Sequence, residues 1–262
     1  LYNILNIKPK SKSDCEVIIH MYKKYGIEQT LQMLDGVFAF ILLDMQKQQV
    51  FVARDTYGVR PLYVNTLVHT GENKEQLESY AFASEIKCLD FQDVGQRIKQ
   101  FEPGCLSIFN YNAILGLTYV NTIPFSTPNS FCNISQNVKY IDVLQNIFTN
   151  IENAVIKRVD NTDREIACLL SGGLDSSIVC ALVKKHYKGN LHTWSIGFEG
   201  SEDLKYAQEV ANHIGSIHHP IEVNEQEFLD NIPNVIEAIE SYDTTTVRAS
   251  VGNWLICKYI KE

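Results

Sequence analysis

The chain has 262 residues, 45% of them hydrophobic and 21% charged, with a formal net charge of −8. That length suits two domains of ordinary size, and that composition suits packed cores. The acidic balance removes any general attraction to polyanions, and the densest basic run, Lys8 to Lys12, has no interleaved aromatics, so it is expected to be a solvated segment and no nucleic-acid partner is expected.

Taken in chain order, apolar residues at Val17, Ile18, Met21 and Tyr22 predict a helix over 14–25, closed by Gly26. The continuous apolar run 37–43 predicts a strand covered on both faces, paired antiparallel with 49–53 across a polar turn. Further strands are predicted at 80–83 and, after the Pro103-Gly104 turn, at 104–109. The stretch 120–137 is rich in Asn, Ser, Thr and Pro and is the expected linker, dividing the chain into domains 1–130 and 131–262.

Beyond it the character changes. Apolar spacing of three or four residues predicts an amphipathic helix over 141–159. Then come a strand at 165–170, a glycine-rich loop, a helix from about Ser176 to Tyr187, a strand at 191–198, a helix at 203–214 ended by Gly215, and a strand at 217–223 before the last helices. Strand and helix in alternation predict a parallel, doubly wound sheet.

No apolar stretch approaches the roughly 18 residues of a membrane span, and no leader pattern opens the chain, so no membrane partner is expected. Seven cysteines without a Cys-x-x-Cys pair are expected to be reduced and mostly buried, which favours a cytoplasmic enzyme. In that setting the sequon Asn133-Ile134-Ser135 has no consequence. A start at Leu1 and a stop at Glu262 directly after an apolar helical pattern are read as two cut ends.

The central chemical signal is Ser171-Gly172-Gly173-Leu174-Asp175-Ser176-Ser177, between a strand and a helix. Two glycines let the backbone turn sharply and gather N–H groups at a helix start, where a phosphate is favoured, and the serines add hydroxyls. No lysine follows the glycines, so this is not the Walker loop. Asp175 beside phosphates is repulsive unless a divalent cation intervenes, which points to Mg2+ with Asp175 either as a ligand or as a group that orients the ligands. His218 and His219 are adjacent on a predicted strand, face opposite ways, and are expected in a surface or capping role. Trp194 and Tyr206 are expected as core or half-buried residues.

The loop resembles the pyrophosphate loop of the ATP pyrophosphatase group, and within it the chain is most similar to the asparagine synthetase family. Supporting segments are Leu34-Asp-Gly-Val-Phe-Ala-Phe40, Arg54-Asp-Thr-Tyr-Gly-Val-Arg-Pro-Leu62, Thr193-Trp-Ser-Ile-Gly197 and Glu240-Ser-Tyr-Asp-Thr-Thr-Thr-Val-Arg-Ala-Ser250. The resemblance implies an α+β, class II amidotransferase antiparallel sandwich, then an α/β, doubly wound ATP pyrophosphatase domain, each incomplete. It implies that Leu170 and Ile196 bracket the adenine and ribose of ATP, that Asp203 is a second acidic metal residue, and that Thr245, Thr246 and Arg248 belong to the synthetase centre.

In the first half it implies that Asp14 holds the α-amino group of glutamine. The family's catalytic N-terminal cysteine is missing before Leu1, so this half is not expected to hydrolyse glutamine. The implied substrates are L-aspartate, L-glutamine and ATP, the implied reaction runs through β-aspartyl-AMP, and a homodimer stays open. Two other readings also stay open: a β-lactam-synthetase-like adenylating enzyme, and a catalytically inactive binding fragment.

Overall fold

The computed structural model describes residues 1–11, 13–70, 76–89, 97–114, 116–126 and 139–261. The chain forms two units, Leu1–Asn133 and Ile134–Glu262, each described by itself.

Unit 1 contains α1 (Tyr2–Leu5), α2 (Glu16–Met33), β1 (Ala39–Asp44), β2 (Gln49–Arg54), β3 (Tyr63–Thr70), β4 (Gln76–Ala83), a 3-10 turn at Ile86–Leu89, β5 (Arg97–Gln100), β6 (Cys105–Asn112) and β7 (Gly116–Pro124). Gly26, at φ 79° and ψ 174°, breaks α2 but does not end it. The helix resumes because Ile27 and Leu31 bury against Phe51, Ala53 and Leu106, and Thr30 Oγ1 donates to the Gly26 carbonyl at 2.7 Å. Burial thus outweighs the local stop signal.

Two antiparallel sheets follow, one ordered β1-β2-β6-β7 and the other β4-β3-β5. The expected β1–β2 hairpin is present, with Ala39 opposite Arg54 and Asp44 opposite Gln49. Strand β1 is not covered on both faces. It lies at a sheet edge, where Phe40 and Leu42 pack inward while Ile41 and Leu43 stay 52% and 50% exposed. Tyr80 and Phe82 of β4 meet Phe109 of β6 edge-on, with ring centroids 4.9 and 5.7 Å apart.

The expected linker begins too early. Its residues 120–124 belong to β7, where the β-branched Val120, Thr122 and Ile123 favour a strand and Pro124 closes it. The rest of that stretch, residues 127–137, with Pro128, Cys132 and the sequon, lies outside the described residues, as does Lys12.

Unit 2 contains α3 (Tyr140–Asp160), β8 (Ala167–Leu169), α4 (Leu174–His186), β9 (His192–Phe198), α5 (Glu202–Ile214), β10 (Ile217–Val223), α6 (Glu225–Asp230), α7 (Ile232–Ile239) and α8 (Thr244–Lys261). The three strands are parallel in the order β10-β9-β8. Against one face, Leu170, Cys180, Ala207 and Ala211 join β8 to α4 and α5. Against the other, Ile221, Val223, Val235, Val247, Val251 and Leu255 join β10 to α7 and α8, with Trp194 and Ile196 of β9 alongside. Helix α3 is tied to α4 by Glu152, which accepts from Lys185 Nζ at 2.7 Å and faces His186 Nε2 at 3.0 Å.

The six described cysteines are free thiols, but only Cys180 is buried; Cys15, Cys88 and Cys257 are exposed, which corrects the expectation of mostly buried cysteines. Among the described residues no helix is long and apolar enough to cross a membrane.

Candidate nucleotide site

The carboxyl end of β8 runs through Leu170 into the 171–177 loop and straight into α4. Leu170 N–H donates to the Trp194 carbonyl at 2.7 Å, which pins the loop's root to β9. The residue as a whole is 1% exposed, with its side chain packed among Cys180 and Ala207, so Leu170 anchors the loop from inside.

Gly172 has φ +82°, and a Cβ there would sit 2.6 Å from the Ala207 nitrogen and 2.7 Å from Tyr206 Cβ. The backbone of α5 therefore lies against this glycine, and no other residue fits without displacement. Gly173, at φ −71°, is the N-cap of α4, and a Cβ there would meet only Ser171 Oγ at 3.5 Å.

The serines shape the loop from within. Ser176 Oγ and Ser177 Oγ donate to the Gly173 carbonyl at 3.0 and 2.7 Å, and Ser171 Oγ lies 3.0 Å from Ser176 Oγ. The first helical amide bond is Ser177 N–H to Gly173 O at 3.0 Å. Among the described residues no acceptor fills the N–H groups of Leu174, Asp175 and Ser176. Those are the donors that a helix start leaves unsatisfied, and here they lie at an exposed loop. Asp175 is exposed in the same turn. Asp203 is exposed in the first turn of α5, and because β8 and β9 are parallel, α4 and α5 start at the same end of the sheet. Ile196 lies one strand over from Leu170, with its side chain on the opposite face, against α8.

At the start of α8, Thr246 donates both its N–H and its hydroxyl to Asp243 Oδ2, at 2.8 and 2.7 Å. These bonds, the Thr246 hydroxyl first, hold the Asp243 carboxyl below its ordinary value. Thr245 and Arg248 are exposed. No hydrogen bond or ion pair among the described residues links Thr245, Thr246 or Arg248 to the 171–177 loop.

In unit 1, Asp14 is exposed just ahead of α2, with Cys15 Sγ 3.6 Å from its Oδ1. His218 and His219 do face opposite ways, yet neither is a surface or capping residue. His218 is hydrogen-bonded between Thr193 Oγ1 at 2.9 Å and Ser195 Oγ at 3.0 Å, and burial lowers its pKa. His219 meets His192 at 2.9 Å and stacks on the half-buried Trp194 at 4.2 Å. Both strands of that ladder are held by side-chain bonds that strand periodicity does not reveal. Among the described residues no group of three or more His, Cys, Asp or Glu side chains is placed to hold a metal.

Two family models match the chain: the glutamine amidotransferase domain over residues 2–116 and asparagine synthase over residues 147–262. The chain is 40% identical to the glutamine-hydrolyzing asparagine synthetase of Gallus gallus, over 95% of this chain and 46% of that protein. It is 40% identical to that of Bos taurus and 39% identical to that of Homo sapiens, each over 97% of this chain and 47% of the relative. The chain belongs to the asparagine synthetase family. It spans about half the length of the curated relatives it matches.

Within the asparagine synthetase framework, three contributors escape sequence reasoning. Asp243 is one, although an Asp three residues before Thr246 carries a cap signature that could have revealed it. The pair Tyr206-Ala207, pressing on Gly172, is another, and no local pattern reports it. The third is Glu16, which accepts from Lys10 N–H at 2.9 Å and from Ser11 N–H and Oγ at 2.6 Å each, and so gathers the segment before Asp14. These bonds, the Ser11 hydroxyl first, lower its pKa to about 2.

Proposed function

We propose that this chain is the glutaminase and adenylating portion of a cytoplasmic, ATP-dependent asparagine synthetase that takes its nitrogen from glutamine. On this reading residues 1–130 form an antiparallel class II amidotransferase sandwich, and residues 131–262 a doubly wound ATP pyrophosphatase domain. A single observation carries it: unfilled amides at the start of α4, in a loop whose first glycine is fixed by α5. The β-lactam-synthetase reading is disfavoured by the relatives from Gallus gallus, Bos taurus and Homo sapiens, each named as an asparagine synthetase.

The amides of residues 174–176 and the Ser171 hydroxyl grip the β- and γ-phosphates of ATP, Ser176 and Ser177 hold the loop in shape through the Gly173 carbonyl, and the base and ribose lie beyond the carboxyl ends of β8 and β9, near Leu170 and Ile196. The residues fit Mg2+, since that ion is held by one or two carboxylates together with substrate phosphates rather than by an all-protein cage. Asp175 would hold it, with Asp203 at the neighbouring helix start. Bound there, it would neutralise charge on the departing pyrophosphate.

A β-carboxylate oxygen of L-aspartate attacks the α-phosphorus, and the bond to pyrophosphate breaks, giving β-aspartyl-AMP. Ammonia from L-glutamine, whose α-amino group Asp14 holds, then adds to the acyl carbon and AMP leaves. Arg248 and Thr245 orient the aspartate or its adenylate, and Thr246 is set beside them by Asp243. The protein's share is alignment and charge neutralisation. The working form is proposed to be a homodimer.

The test is aspartate-dependent ATP/pyrophosphate exchange in the complete gene product. Exchange should require L-aspartate and fall about 100-fold or more in Asp175→Ala. Exchange that ignores aspartate, or that survives the substitution, removes this reading.

A further inference from the structure

Unit 1 holds a cavity of about 380 Å³ lined by residues of β3, β4, β5, β6 and β7, a size within the usual range for small-ligand sites. Strand register sets its chemistry. Across β3, Val64 stands between Phe82 and Lys99, and Thr66 between Tyr80 and Arg97; Val68 pairs with Glu78 one step further along the same face. Phe82, Phe101 and Phe109 make the floor apolar, and Phe101 and Phe109 are buried. Opposite, Ser107 Oγ, Thr122 Oγ1 and Tyr119 OH form a hydroxyl row at 2.6 and 3.1 Å.

Four charged side chains line the cavity: Arg97 and Lys99 of β5, Glu102 just past that strand, and Glu78 of β4. Arg97 and Lys99 point into the cavity from β5, and among the described residues neither has a carboxylate within ion-pair reach. On the far side of β3, Glu78 accepts from the Tyr80 hydroxyl, which aims its carboxylate. The two walls are two strand spacings apart, roughly 10 Å between backbones, and long side chains reaching inward shorten that gap. Inward charge on an edge strand such as β5 also guards against edge pairing, but guarding an edge needs neither a hollow nor a facing carboxylate.

We propose that this cavity is a binding site for a free amino acid with an apolar side chain. Its carboxylate would pair with Arg97 and Lys99, its ammonium with Glu78, and its side chain would lie on the phenylalanine floor. The cavity shares no residue with the 171–177 loop or with Asp14, so this site is separate from the proposed substrate sites.

The experiment is calorimetric titration of the full protein with L-phenylalanine, 3-phenylpropionate, which lacks the ammonium, and 2-phenylethylamine, which lacks the carboxylate. L-Phenylalanine should bind saturably, about tenfold or more tighter than either half-ligand, and should not be displaced by L-glutamine or L-aspartate. The double variant Arg97→Gln/Lys99→Gln should weaken it by about tenfold or more. Absence of saturable binding, equal binding of a half-ligand, displacement by either proposed substrate, or unchanged affinity in a folded double variant would each overturn the proposal. If the double variant does not fold, the three ligands on the unaltered protein still decide.

Discussion

Two helix starts in unit 2 solve the same electrostatic problem in opposite ways. Helix α4 begins at Gly173 with no side-chain cap, and the amides of its first turn are unfilled among the described residues. Helix α8 begins at Asp243, whose carboxylate receives the N–H and hydroxyl of Thr246. Both ends carry the positive pole of a helix dipole. One brings its own anion, and the other leaves room for a foreign one. The contrast shows that the protein caps a helix by sequence at α8 and leaves the start of α4 without a side-chain cap, which is the feature the proposed nucleotide site rests on.

The strongest way to break the comparison is at Gly172. Gly172→Ala combines a strained positive φ with overpacking against Ala207, together roughly 2–5 kcal/mol, and should be the most damaging single change considered. Urea unfolding measures it. Gly173→Ala, at an ordinary φ and meeting only Ser171 Oγ at van der Waals distance, should cost at most about 1 kcal/mol. Equal costs for the two would mean that α5 does not fix the loop.

A smaller effect sharpens the contrast directly. Titrated pyrophosphate with Mg2+ should shift the amide resonances of residues 174–176 and leave those of Thr245 and Thr246 in place, because Asp243 occupies the second helix start. Shifts of comparable size at both helices would erase the distinction. Asp243→Ala should then lower Tm by a few degrees, while Asp243→Asn, which keeps the capping geometry, should stay near the parent.

The legible and illegible parts of this molecule differ in physical kind. Periodicity and punctuation located β2, α3, β9, α5 and β10 to within a residue or two, because each carries its signal in its own residues. It failed at Gly26, where a real stop signal lost to the burial of Ile27 and Leu31 on a distant sheet. It failed for β3 and β5 because each owes its place to neighbouring strands rather than to its own pattern, and for β7 because Asn and Thr on an edge strand look like a loop. The 171–177 loop was legible as a motif, since glycines between strand and helix have few other uses. The reason for Gly172 was not, because Tyr206 and Ala207 lie far along the chain.

The smallest expected effect is a pH slope. Asp243 has its carboxyl held below the ordinary 3.8, chiefly by the Thr246 hydroxyl and then by its amide. A folded-state pKa below the unfolded one means that the unfolded chain takes up the proton first as pH falls. The carboxylate's contribution to stability is therefore complete above the ordinary value and is lost as pH drops below it through the folded pKa. Glu16, lowered to about 2, and Glu152, lowered from 4.5 by Lys185 and then His186, add slopes of the same sign, so the total cannot isolate one group. The difference between parent and Asp243→Asn can, because asparagine caps the helix without titrating. That difference should be constant near neutrality and shrink as acid is added below about pH 4. A difference that stays flat into acid would mean that the Thr246 bonds do not favour the charged carboxylate, and the self-capped start of α8 would lose its electrostatic basis.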